Sequence, residues 1–284
     1  MQPWWRELAG RCRGRMLAPL YRFYEHRLLR QVRASPVPRH IGLILDGNRR
    51  FGRRYNLSHP DDIYMAGANK LDDLLDWCIE LDIPAITLWV FSTQNGKRPP
   101  EEVTGILIAI ERKLKSLAAD REFHSRRIRV RAVGRLELLP STTLGALRAA
   151  EAATEDYSGM HLTIAAAYGG REEIVDAVRG FLRKELAHDR TLREAIELVT
   201  PEAIGRSLYA PDLPDPDLII RTAGERRVSN FLLWQGAYAE MLVSETLWPD
   251  FGVDDLKAAL ADYASRVRRF GARPEDEKVA RGAG

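Results

Sequence analysis

Asp46-Gly47-Asn48-Arg49-Arg50-Phe51 sets a carboxylate, a glycine, an amide and two guanidinium groups side by side, directly after the apolar run 41–45. Such a set suits a metal-bound diphosphate. The glycine lets backbone N–H groups approach the anion, and the arginines pair with its oxygens. It is no P-loop, because GxxxxGK[ST] is absent, and Asp-Gly-Asn alone is also an ordinary turn. A second polar loop, Phe91-Ser92-Thr93-Gln94-Asn95-Gly96-Lys97-Arg98-Pro99, follows the apolar run 85–91. Pro99 suits the first turn of a following helix, so helix capping alone would account for this loop. The third cluster runs from Asp217 through Arg221, Glu225 and Arg227 to Ser229 and Asn230. Arg221, Arg227 and Ser229 can converge on a second diphosphate, with Glu225 between them to orient an arginine. Glu240, just before the apolar Met241–Val243, offers another carboxylate near the same structure.

These clusters need elements to bring them together, and apolar periodicity supplies them. Strands are expected at 41–45, 85–91, 128–133, 162–168, 218–221 and 241–243. Helices are expected at 64–81, 99–118, 141–155, 172–187 and 254–268. In strand 128–133 arginines alternate with apolar residues, which predicts a place near the sheet edge. The alternation of strand and helix predicts an α/β fold: a mostly parallel central sheet flanked by helices. Functional side chains then belong at or just past the carboxyl ends of the strands, where Asp46, Ser92 and Arg221 fall.

The chain has 284 residues, 45% hydrophobic and 29% charged, an ordinary globular composition. No apolar stretch is long enough to predict a membrane span. Two cysteines, Cys12 and Cys78, exclude a disulfide framework and a zinc site of CxxC type. A cytoplasmic location is the expectation. The net charge of +3 is uneven: residues 1–33 hold eight arginines against Glu7 and Glu25, so the remainder is net acidic. That segment interleaves arginine with Trp4, Trp5, Leu8, Tyr21, Phe23 and Leu28, and predicts a basic amphipathic helix interrupted at Pro19. It suits either packing on the domain or peripheral attachment to an anionic lipid surface at the inner face of the membrane. With no second basic cluster in the body of the chain, nucleic-acid binding is not expected. The divisions are an extension and linker over 1–38, a catalytic domain over 39–271 and a loose tail over 272–284.

Taken together, HIGLILDGNRR, the FSTQN loop, DLIIRTAGERRVSNFLLWQGAYAEM and TLWPDF resemble the cis-prenyltransferase (undecaprenyl diphosphate synthase-like) family, in that family's order over residues 39–270. The resemblance implies condensation of isopentenyl diphosphate with an allylic diphosphate, dependent on Mg²⁺, in an enzyme that is usually a homodimer. It implies Asp46 as the central carboxylate on the metal, with Glu240 as a second metal-associated carboxylate. Gly47, Asn48, Arg49, Arg50 and Phe51 then cradle the allylic diphosphate. Asn95 matches the asparagine implicated in proton removal, although an amide is a poor base and suits orientation better. Ser92, Thr93, Gln94 and Arg98 fall along the substrate beside it. Arg221, Arg227, Val228 and Ser229 match the group holding isopentenyl diphosphate.

Several positions depart from the family pattern. Gln94 replaces a usual Glu, Gly96 a usual Trp, Tyr64 a frequent His, and Ala223 a Gly. Val90 is larger than the usual residue before Phe91 and predicts an obstructed tunnel, hence a short product such as Z,E-farnesyl diphosphate made from geranyl diphosphate. The Pro19–Glu25 stretch also looks like the short-chain actinobacterial members. The alternatives are a longer polyprenyl product, or a catalytically weak partner subunit of a heteromeric enzyme. Retention of Asp46 speaks against the partner subunit. Asp72-Asp73-Leu74-Leu75-Asp76 matches the DDxxD motif of trans-prenyltransferases, but those enzymes are all-helical and carry two such motifs. Gly169-Gly170-Arg171-Glu172-Glu173 resembles a dinucleotide turn without GxGxxG, and a plain strand-to-helix turn accounts for it.

Overall fold

Strand β1 (His40–Ile44) is buried at every position, the pattern of an interior parallel strand covered on both faces. It pairs in parallel with β2 (Ala85–Trp89) on one side and β5 (Leu218–Arg221) on the other. Beyond β2 come β4 (His161–Ala165) and then β3 (Arg129–Val133), and β6 (Glu240–Val243) lies beyond β5. The order is β3-β4-β2-β1-β5-β6 and every pairing is parallel. This computed structural model describes residues 37–266. The basic helix expected in residues 1–33, most of the linker and the tail after 271 lie outside the described residues.

Nine helices alternate with the strands among the described residues: α1 (Asn48–Arg54), α2 (Pro60–Glu80), α3 (Pro100–Ala119), α4 (Arg121–Ser125), α5 (Ser141–Ala153), α6 (Gly170–Ala187), α7 (Leu192–Glu197), α8 (Pro201–Gly205) and α9 (Val253–Ser265). Leu71, Leu74, Leu75 and Cys78 of α2 and Ile106, Ile110 and Leu114 of α3 share one core with Ile41, Leu43, Ile86, Leu88 and Ile164 of the sheet. Burial pushes the Cys78 thiol up to about 12, so it is an inert packing residue. Ile44, Val133, Ala165, Ile219, Tyr168, Phe231 and Leu232 form a second, smaller core. No described helix is long and apolar enough to cross a membrane.

The sheet is parallel as expected, and β3 takes the edge that its alternating arginines predict. Two strands stop short of their apolar runs. β2 ends at Trp89 because Val90 and Phe91 both turn their amides to the Ala165 carbonyl. β4 ends at Ala165, and Ala167 at φ 46° swings the chain out of the sheet. The aspartates of the DDxxD segment lie on an exposed face of α2, and from there Asp72 pairs with the buried Lys113 of α3 at 2.5 Å, tying the two helices together.

His40, at the amino end of β1, is buried. Its Nδ1 lies 2.7 Å from the Pro214 carbonyl and its Nε2 lies 2.8 Å from Thr87 Oγ1. The carbonyl needs a donor, so Nδ1 carries the proton and Nε2 accepts from threonine. Burial holds the pKa below the usual 6.5, against smaller opposing effects of the Pro214 carbonyl and Asp217. The unfolded chain therefore binds this proton first, and stability falls as pH drops below about 6.5. The urea midpoint is expected to be lower at pH 5.5 than at pH 7.5, with a smaller difference in His40→Gln. An equal difference in that variant would assign the pH dependence to other groups.

Candidate active site

At the carboxyl end of β1 the chain enters a turn that β5 completes. The Asp46 carbonyl accepts from the Trp248 amide at 2.9 Å and from Thr222 Oγ1 at 2.6 Å, which fixes the backbone. Its side chain meets Arg221, the last residue of β5: Oδ2 accepts from Nε at 2.9 Å and from Nη2 at 2.6 Å. Arg221 is 4% exposed, so this planar two-point pairing supplies the counter-charge its guanidinium needs. Asp46 Oδ1 makes no hydrogen bond to a described residue, and Asp46 lines the cavity. The third guanidinium nitrogen, Nη1, donates to Ser229 Oγ at 2.7 Å and to the Arg227 carbonyl. Glu225 pairs with Arg227 at 2.5 Å and lies 3.8 Å from Arg50, as an orienting carboxylate would.

Gly47 sits at φ +111°, and a Cβ there would also lie 3.0 Å from Leu247, so the step from strand to α1 needs glycine. Helix α1 was not foreseen from the sequence, since NRRFGRR has no apolar period. It sends Asn48, Arg49, Arg50 and Arg53 to the cavity. Asn48 Nδ2 donates to the Leu45 carbonyl at 3.0 Å, and Oδ1 is buried against Gly67 with no hydrogen-bond partner.

The loop after β2 forms a 3₁₀ turn at Thr93–Lys97, closed by a reciprocal cap. Ser92 Oγ accepts from the Asn95 amide at 3.0 Å, and Asn95 Oδ1 accepts from the Ser92 amide at 2.8 Å. The carbonyl oxygen of Asn95 is thus committed to the loop, which suits it as an orienter. Arg98 follows, and its Nη1 donates to Glu102 Oε1 of α3 at 2.9 Å. The same oxygen accepts from Tyr64 OH at 2.7 Å and lies 3.7 Å from Arg49 Nε. Burial and this carboxylate push the Tyr64 hydroxyl well above its ordinary pKa, so it stays protonated and donates. Sequence reasoning missed Glu102. The available signal was its place four residues after Arg98 at the start of a helix.

One cavity of about 660 Å³ joins these parts. Arg49, Arg50, Arg53, Arg98, Arg221 and Arg227 line it against the carboxylates of Asp46 and Glu225, so it favours anions. Its apolar wall includes Val90, Ile106, Ala109 and Ile110. The family model for undecaprenyl diphosphate synthases matches residues 44–271, a span that contains every one of these residues. The chain belongs to that prenyltransferase family. It is 50% identical over 249 residues to an isoprenyl transferase of Deinococcus radiodurans, covering 87% of this chain and 90% of that one. It is 45% identical over 258 residues to a (2Z,6E)-farnesyl diphosphate synthase of Thermobifida fusca, covering 91% and 99%. Among solved structures, lavandulyl diphosphate synthase from Lavandula x intermedia, in complex with dimethylallyl diphosphate, superimposes with a TM-score of 0.73 at 32% identity, over 83% of this chain and 98% of that one.

In this cis-prenyltransferase most of the expected residues meet in one place. Asp46, Gly47, Asn48, Arg49, Arg50, Ser92, Gln94, Asn95, Arg98, Arg221, Arg227 and Ser229 all line the cavity. Four do not. Phe51 turns to pack against Tyr55, with ring centres 4.5 Å apart and planes tilted by 44°, because each step along α1 rotates the side chain by roughly 100°. Thr93 buries its hydroxyl without a hydrogen-bond partner, and Val228 is exposed outside the cavity. Glu240 is the clearest correction. It opens β6 rather than closing it, level with Leu218, and pairs with Arg266 at 2.7 Å. Along the strand that is about 10 Å from the level of Arg221, so the described chain does not bring Glu240 to Asp46. Gly96 leaves open space where a side chain would meet nothing within 4 Å.

Proposed function

We propose that this prenyltransferase joins one isopentenyl diphosphate to geranyl diphosphate and releases Z,E-farnesyl diphosphate. The observation that carries the reading is one cavity that is lined by Asp46 and draws its cations from two separate groups of elements. Arg49, Arg53 and Arg98 stand on the α1 and β2-loop side, and Arg221, Arg227 and Ser229 on the β5 side. Two diphosphates held on those two sides place a nucleophilic double bond beside an allylic carbon, which supplies a large entropic advantage. In the reaction the double bond attacks C1 of the allylic partner, the C1–O bond breaks, and a proton leaves C2 of the isopentenyl unit to form the Z double bond. Negative charge accumulates on the departing diphosphate, and Arg49 and Arg98 are placed to stabilise it. Asn95, tied by its carbonyl oxygen, orients the isopentenyl unit, and the released diphosphate is the proton acceptor.

The donor set fits Mg²⁺ carried on a diphosphate. Hard cations of this size take one or two carboxylates and fill their remaining positions from phosphate and water. Asp46 Oδ1 offers one such ligand, and no described group of three His, Cys, Asp or Glu side chains would hold a metal without substrate. Bound there, the cation neutralises charge on the diphosphate.

Val90 supports the short product. It forms part of the apolar wall with Ile106, Ala109 and Ile110, where added volume shortens the space for a growing chain. The Thermobifida relative's name points the same way, whereas the family name points to an eleven-unit product. Incubation with isopentenyl diphosphate, Mg²⁺ and dimethylallyl, geranyl or farnesyl diphosphate, followed by product sizing, tests the reading. A fifteen-carbon Z product from geranyl diphosphate is expected, and chains of roughly fifty carbons would replace the short-chain assignment. Val90→Ala is expected to shift the distribution toward longer chains. An unchanged distribution would remove bulk at Val90 as the cause.

A further inference from the structure

Ser229 lies in a segment whose backbone is held in an unusual state. Ser229, Asn230 and Leu232 take φ values of 49°, 74° and 42°, the left-handed region that residues other than glycine seldom adopt. Asparagine tolerates that region better than most, and here Asn230 also makes three bonds to three successive residues of α6. Its carbonyl accepts from the Gly170 amide at 2.7 Å, and its Oδ1 accepts from the Arg171 amide at 2.8 Å. Its Nδ2 donates to Glu172 Oε2 at 3.0 Å. The first two satisfy amides that a helix start leaves without partners.

The glycine pair 169–170 makes this approach possible. A Cβ on Gly169 would lie 2.2 Å from Glu172 Oε2 and 2.6 Å from Asn230 Nδ2. One on Gly170 would lie 2.9 Å from the Leu233 amide nitrogen. The next residue of α6, Glu173, is 2% exposed and accepts from Gln235 Nε2 at 3.0 Å, so the segment is fastened at both ends. Phe231, fully buried between them, sets how deep the segment sits. Burial has no direction, however, and cannot by itself fix the peptide orientations on which Ser229 and the Arg227 carbonyl depend.

We infer that Asn230, clamped on the first turn of α6, is a positioning residue for the β5 half of the site, holding Ser229 Oγ and the Arg227 carbonyl where they aim the Arg221 guanidinium. The inference rests on the proposed reading of that half as a diphosphate pocket.

The geometry gives a polarity test. Asn230→Asp keeps shape and the bond from the Arg171 amide but sets two carboxylates against each other. Adding Glu172→Gln restores a donor facing the new acceptor, while Glu172→Gln alone still accepts from Asn230. In the purified full-length chain, Asn230→Asp is expected to raise KM for isopentenyl diphosphate about tenfold, with KM for the allylic partner changed by less than about twofold. The double variant is expected to recover most of that loss, and Glu172→Gln alone to stay near wild type. Calorimetric titration with inorganic diphosphate should repeat the same order of affinities without turnover. An Asn230→Asp enzyme with unchanged KM, or one whose only change is a lower folded fraction in a thermal melt, would overturn the inference. So would a double variant no better than the single. Failure of the functional reading itself shows differently, as wild-type protein that transfers no prenyl group, and the diphosphate titration would still report on the clamp.

Discussion

Asp46→Asn is expected to lower prenyl transfer by about 10³-fold or more in a chain that still folds. The substitution is nearly isosteric, and the Asp46 carbonyl keeps its bonds to the Trp248 amide and Thr222 Oγ1. One side-chain oxygen remains to accept from Arg221. What disappears is the negative charge, which compensates a buried guanidinium and supplies an anionic oxygen to the cavity. The stability cost is about 3 kcal/mol, because the buried Arg221 loses its counter-charge, offset in part where the cavity lets water reach the Asp46 side. Single-turnover kinetics with circular dichroism separates the two effects. A folded Asp46→Asn protein keeping a tenth of wild-type turnover would remove Asp46 from the chemistry.

Arg221→Lys should behave quite unlike a conservative change. The guanidinium serves Asp46 through two nitrogens and serves Ser229 Oγ and the Arg227 carbonyl through the third. An ammonium group is a point donor and cannot span those directions at once. We expect kcat/KM for isopentenyl diphosphate to fall by about 10²–10³-fold, mostly through KM. Because Asp46 and Arg221 act as one pair, the double variant Asp46→Asn/Arg221→Lys should be little worse than the poorer single variant. Multiplicative losses would show that the two residues act independently, against the shared geometry described above.

Most of the fold was legible because the strands are apolar runs of the right length and the long helices have clear periods. What escaped did so for physical reasons. Helix α1 has no apolar stripe because nearly every side chain in it is a guanidinium or faces the cavity, and the short α7 and α8 are defined by caps at Thr191 and Thr200 rather than by a buried face. The candidate site was legible where a residue follows a strand, as Asp46 and Ser92 do, or ends one, as Arg221 does. Glu240 was read without the direction of its strand, and its metal role, implied by resemblance alone, is not supported by the arrangement within one chain. In an all-parallel sheet a residue that begins a strand stands at the far end from the cavity. Glu102 and Asn230 were hidden for another reason: each acts through a tertiary contact, with Arg98 and Tyr64 in one case and the start of α6 in the other.

The carboxylate of Glu102 stands behind the cavity wall as the shared partner of three groups that line it. Arg98, Arg49 and Tyr64 gather around one of its oxygens, so these side chains already share a common focus. An arriving diphosphate therefore exchanges partners with groups already in formation, and little of its binding energy goes to ordering loose side chains. The same arrangement makes Glu102 a competitor. Affinity on the α1 side is a difference between two anions seeking the same cations, so removing that carboxylate would strengthen the hold on released diphosphate and slow its departure.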